Sequence, residues 1–138
     1  MLKKIILLFP ILLFTVMLIS SCKKTEEQNS SGQVIVKGKN KLIVSVYHHT
    51  WALSGINVYL KYNTTVYPGS DTSLYDWHTV SDPSGIAVFE NLFEGNYFLY
   101  AKGLDAGIGA EVIGAAPAHL DSSTITNNEV YVTLYVTE

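Results

Sequence analysis

The chain has no arginine, one cysteine, and no stretch that keeps a helical period. Each shortage removes a class of function. Nine lysines stand against twelve acids, so a basic face for nucleic acid is not expected. A lone cysteine, Cys22, cannot close a disulfide within the chain. The longest apolar run, Ile5 to Ile19, holds about 15 residues and is broken only by Pro10 and Thr15. That falls short of the roughly 20 residues that cross a bilayer. No Ser-His-Asp set, Cys-His pair or pair of glutamates can be drawn from the sequence, so no catalytic residue and no cofactor are assigned. The glycine-rich stretch "GLDAGIGAEVIGAAPAHL" lacks the Gly-Lys and the strand–helix setting of a phosphate loop.

What is present begins with a leader. Lys3 and Lys4 precede the apolar run, and "LISSCKK" follows it. This order matches a secretory signal, and Ile19-Ser20-Ser21-Cys22 resembles the lipobox of bacterial lipoproteins. The resemblance implies cleavage after residue 21 and an acylated Cys22 as the first mature residue. Two or more acyl chains hold a protein firmly on a membrane where one is marginal. Residues 22–33, "CKKTEEQNSSGQ", carry no large apolar side chain and read as a flexible tether. Lysines followed by Glu26 and Glu27 loosely resemble the charged signals that carry some Bacteroidetes lipoproteins to the cell exterior. Removing the leader takes two lysines and no acid, which leaves about five net negative charges. The expected location is the bacterial cell envelope, on the outer membrane and exposed at the surface.

From Val34 to Glu138 the chain reads as strands. β-Branched and aromatic residues cluster between turn residues in seven runs: 33–47, 55–62, 74–80, 85–92, 95–103, 109–116 and 129–136. Ile56, Val58 and Leu60 alternate with Asn57, Tyr59 and Lys61, and Val130, Val132, Leu134 and Val136 share one face. Seven short strands, each with one apolar face, predict an all-β, two-layer sandwich. Asp82-Pro83-Ser84-Gly85 suits a tight turn, because Pro83 sets φ and Gly85 tolerates positive φ. Val88 or Phe89 then enters the core.

"ALSGINVYL" (52–60) followed by "TVSDPSGIAVFENLFEGNYFLYAKG" (79–103) resembles the carboxypeptidase-regulatory-like, or prealbumin-like (transthyretin-like), domains. The matching positions are Gly55, Val58, Leu60, Asp82, Gly85, Phe89, Leu92, Gly95, Tyr97 and Leu99. The resemblance covers roughly residues 42–136 and implies an Ig-like sandwich serving as a non-catalytic module. Phe93 stands where a proline is frequent, and the stretch Asn63 to Asp76 is longer than the usual connection. Adhesin repeats of this architecture join a lysine and an asparagine with help from a buried glutamate. The glutamate position here is Ala101, and Ile43 or Val44 stands where the lysine would be, so that chemistry is not expected.

The remaining candidates are aromatic. Trp51, Tyr67, Tyr75 and Trp77 lie in or beside the turns and are the candidate ligand-binding residues. Tyr59, Phe98, Tyr100, Tyr131 and Tyr135 fall opposite the core positions. Such rings either form a contact surface for sugar or protein, or pack beneath the long loop. Adjacent His48 and His49 should point to opposite sides of a strand and should not share a metal. His78 and His119 stand alone, so histidine is expected to be solvated or partly buried, with no metal site. Asp71, Asp76 and Asp82 are read as turn residues. The function expected is a lipid-anchored envelope module that binds a glycan or a partner protein. The alternative is a structural spacer or assembly subunit of a cell-surface complex.

Overall fold

A computed structural model describes residues 37–138. The leader, Cys22, the tether and the start of the first predicted strand lie outside the described residues. Eight strands follow in order: β1 (Asn40–His48), β2 (Trp51–Ala52), β3 (Asn57–Tyr62), β4 (Trp77–Val80), β5 (Ile86–Leu92), β6 (Gly95–Asp105), β7 (Ala110–Leu120) and β8 (Glu129–Val136). They form two four-stranded sheets. In one, β1 pairs antiparallel with β5 and β2 along one edge and parallel with β8 along the other. The second sheet runs β4-β3-β6-β7, all antiparallel. The all-β sandwich expected from the alternation is therefore the observed architecture.

The core lies between the two inner faces. Leu42, Val44 and Val46 of β1 share the core with Val58 and Leu60 of β3 and with Ile56 just before it, and Phe89, Leu99, Ala101, Val112 and Leu134 fill the layer. All of these are at most 1% exposed. Alternation requires this arrangement, because a shift of one residue would carry a whole apolar set to the outside. Of the two candidates on β5, Phe89 is the one that enters. Leu92 is also buried, although it lies three residues later. A register shift between Asn40 and Leu42 opposite that segment accounts for it. Asn91, at φ 56°, supplies the left-handed residue that such an irregularity favours.

The turns follow their side chains. Asp82 Oδ1 accepts from the backbone N–H of Ser84 at 2.8 Å and of Ile86 at 2.9 Å, and Gly85 sits at φ 78°. The Ser81 hydroxyl donates to Leu53 O at 2.7 Å and accepts from Ile56 N–H at 3.0 Å. That buried hydroxyl thereby ties the loop before β3 to the strand end after β4. Asp71 caps a short 3₁₀ turn, Thr72–Leu74, by accepting from Ser73 N–H.

Several predicted bounds move: the first strand begins only at Asn40, the second full strand at Asn57, and the run 95–103 extends to Asp105. The two-residue β2 makes eight strands instead of seven. β4 starts at Trp77, not residue 74, because the 3₁₀ turn occupies the preceding positions. The segment read as weak, 109–116, extends from Ala110 to Leu120 as half of a long hairpin with β6. Its glycines and alanines dilute strand propensity but serve packing. Ile113 exchanges two backbone hydrogen bonds with Thr137, both 2.8 Å, so the end of β8 closes onto β7. A Cβ at Gly114 would overlap the Tyr135 carbonyl and lie 2.9 Å from Val136 Cγ1. Gly114→Ala should therefore lower stability by about 1–3 kcal/mol, measured as a lower urea midpoint with an unchanged slope.

Candidate functional site

Chemistry-bearing side chains collect in three places. The first is the centre of the outer face of the β4-β3-β6-β7 sheet, where Tyr59, Phe98 and Tyr100 point away from the core. The long loop between β3 and β4 folds over them. Tyr75 stacks on Tyr100, with centroids 5.7 Å apart and planes at 21°, and Tyr67 leans on Phe98 at 5.6 Å and on Tyr100 at 6.0 Å. Tyr59 meets Tyr75 at 5.9 Å and stacks on the His78 ring at 5.6 Å. Phe98 and Tyr100 are consequently buried although they face outward.

Polar contacts hold this loop down. The Tyr75 hydroxyl donates to Gly69 O at 2.9 Å. Asp76 accepts from Lys61 Nζ at 2.8 Å and from Tyr62 N–H at 2.7 Å. Burial pushes the Asp76 carboxyl up, but the bonds from Lys61 and Tyr62 outweigh it and hold the group below its usual range. Burial pushes the Tyr75 phenol up to about 12, helped by the neighbouring Tyr67 and Tyr100.

The four aromatic candidates do not form one site. Tyr67 and Tyr75 belong to this covering layer. Trp77 shares the inward face of β4 and meets Phe89 edge-on at 5.6 Å, closing the side of the core. Trp51 lies elsewhere, on β2 opposite His48. The strand aromatics also divide. Tyr59, Phe98 and Tyr100 pack beneath the loop, whereas Tyr131 and Tyr135 are 67% and 63% exposed.

The second place is the outer face of the β5-β1-β8 sheet. Ile43, Ser45 and Tyr47 of β1 alternate outward, beside Val88 of β5 and beside Tyr131 and Tyr135 of β8. Tyr47 and Tyr135 sit side by side, centroids 6.4 Å apart. Lys41 and Glu90 form an exposed ion pair at its margin. No segment among the described residues lies across this face as the long loop does across the other.

The third place is the sandwich end where β1, β6 and β8 finish. The inward series of β1, Leu42-Val44-Val46, continues to His48. That of β6, Leu99-Ala101-Gly103, continues to Asp105, and that of β8, Leu134-Val136, points on to Glu138. His48 and Asp105 are each 2% exposed. His48 Nδ1 lies 2.8 Å from Asp105 Oδ2, a contact that bridges the two sheets. Asp105 Oδ1 accepts from Gly107 N–H at 2.8 Å, and its Oδ2 accepts at 3.5 Å from Trp51 Nε1–H. The hydrogen bond with His48, followed by those with Gly107 and Trp51, outweighs desolvation and holds the Asp105 carboxyl below its usual range.

Two expectations about histidine are corrected here. His48 is buried rather than solvated or partly buried, and His49 does not point away from it. Their rings stack at 4.3 Å with planes at 27°. Opposite pointing holds only while the strand continues. His49 is at φ 53°, in the turn to β2, and this left-handed backbone brings its ring back. Trp51 stands edge-on to both rings, at 5.6 and 5.7 Å. One donor atom from each of His48, His49 and Glu138 lies within 4.8 Å of the others. Asp105 and Glu138 were not singled out from sequence, but extending the period-two series of β6 and β8 to their ends would have found both.

No family model matches this chain, and no curated protein matches it in sequence. Solved structures do. The backbone protein of the group B streptococcus pilus 2b superimposes with a TM-score of 0.51 at 19% identity, covering 71% of this chain and 40% of that one. The full-length major pilin SpaD from Corynebacterium diphtheriae gives 0.51 at 13% identity, covering 77% and 34%. The chain thus spans less than half of either. At these identities the likeness establishes the fold, a β-sandwich of the kind found in pilin backbone proteins.

The phenol environment makes the loop sensitive to alkali. Tyr75 keeps its proton more tightly when folded, so its contribution is complete below the ordinary phenol value of 10.0 and is lost as pH rises towards about 12. Denaturant midpoints should fall between pH 10 and pH 12, and Tyr75→Phe should flatten that fall, which a pH series of urea melts will measure.

Proposed function

We propose that this chain is a non-catalytic structural or assembly subunit of the bacterial cell envelope. In this reading an acylated Cys22 tethers a prealbumin-like sandwich to the outer membrane, and the sandwich packs against a neighbouring protein. The observation that carries it is the contrast between the two outer faces. One is covered at its centre by the chain's own loop, whereas the other leaves Val88, Tyr131 and Tyr135 exposed, with Ile43 and Tyr47 half-buried between them, on a regular sheet. A contiguous apolar and aromatic face of this kind marks a protein contact surface. Paired tyrosines on adjacent strands supply large contact area with little side-chain entropy to lose.

The pilin-like fold supports the same reading, since it is a fold that backbone subunits of surface polymers use. A glycan-binding role has less support. Of its four candidate residues, Tyr67 and Tyr75 are engaged with Phe98 and Tyr100, Trp77 with Phe89, and Trp51 with the histidines.

The test is site-specific photocrosslinking in the intact envelope. A photoreactive residue in place of Tyr131 or Tyr135 should yield a discrete protein adduct, while one at Lys102, on the opposite outer face, should yield none. Equal labelling at the two faces, or no adduct at Tyr131 and Tyr135, contradicts the reading.

A further inference from the structure

We infer that His48, His49 and Glu138 form a binding site for a borderline divalent transition ion, with Zn²⁺ as the plainest case. Two imidazoles and a carboxylate are the donor set that such ions take, and three protein ligands leave a fourth position for water or another donor. Tetrahedral ligands at zinc bond lengths stand about 3.4 Å apart. His48 Nε2 already lies 3.0 Å from Glu138 Oε2, and all three donors lie within 4.8 Å. His49 and Glu138 are exposed and have room to close the remaining distance.

The buried ring carries the argument. An ionised Asp105 can only accept, so the hydrogen on the His48 side of that 2.8 Å contact belongs to Nδ1. In the neutral ring this leaves a lone pair on Nε2. That nitrogen is buried, and among the described residues it has no hydrogen-bond partner. Its approach to Glu138 is close enough for an ion pair but lies outside hydrogen-bond geometry. A neutral lone pair facing a carboxylate is unfavourable, and a cation between them removes the conflict.

Asp105 then takes the role of a positioning residue. A metal-bound histidine usually gives its other N–H to a carboxylate, which fixes the tautomer and raises ligand basicity. Here that carboxylate is itself held by Gly107 N–H and Trp51 Nε1–H. The stacked His49 ring adds the second imidazole from the turn. The rival occupant of Nε2 is a proton, which would make the ring an imidazolium between two carboxylates.

The test is a titration of Zn²⁺ alone into the full chain, purified in detergent without a histidine tag and stripped with chelator. Calorimetry should show one equivalent bound, and Co²⁺ in its place should show the visible absorption of a low-coordinate site. His49→Ala and Glu138→Gln alter exposed groups and should each weaken binding at least tenfold. Asp105→Asn should weaken it by about 10–100-fold with the β-sheet circular dichroism retained, and His78→Ala and His119→Ala should have no effect. Absence of Zn²⁺ binding overturns the site. So does binding that survives His49→Ala and Glu138→Gln unchanged.

Discussion

The alternation of β1 is the constraint on which the rest of this structure depends. β1 has partners along both edges, β5 and β2 on one and β8 on the other, so its register sets that of the whole sheet. Leu42, Val44 and Val46 are fully buried on one side of it. The same period places His48 inside at the end of the series and turns Ile43, Ser45 and Tyr47 outward. Core, histidine cluster and uncovered face are therefore three readings of one pleat. A slip of one residue would bury Tyr47 and expose His48, destroying all three together.

Much of this was legible from the residues. Strand identity followed from alternation, and the Asp82–Gly85 turn from the φ demands of its proline and glycine. Ile56, Val58 and Leu60 lie inside as their spacing required. Less legible was whatever depends on tertiary placement. Phe98 and Tyr100 are outward by period yet buried, because a loop more than twenty residues earlier in the chain folds over them. The glycine and alanine content of β7 hid a long strand, since small residues there serve the close approach of β8 at Gly114. His48 and His49 converge because the strand ends between them, and one left-handed residue reverses the direction that alternation assigns. In each case a local rule gave way to a contact from a distant segment or to a single backbone torsion.

The arrangement also separates stability from contact. One outer face is sealed at its centre by Tyr67 and Tyr75, the side of the core is closed by Trp77, and the sheets are bridged at one end by His48 and Asp105. These aromatics act chiefly on each other. The two most exposed tyrosines, Tyr131 and Tyr135, lie on the β8 side of the other outer face, and the histidine–carboxylate end lies beside it. Both lie on the sheet formed by the first and last strands, so an assembly role and a metal at the sandwich end would engage the same sheet. The pilin-like fold is compatible with this division, for a sandwich can tolerate a varied surface while its inner faces keep the register.

The most direct measurement of the central claim is the through-space proton contact map of β1 in solution. The account predicts that the Leu42 and Val44 methyls contact the Phe89 ring, and that the Tyr47 ring contacts Tyr135. Contacts from Tyr47 into the Phe89–Leu99 layer, with Val46 among the outward residues, would mean the opposite pleat and would contradict it.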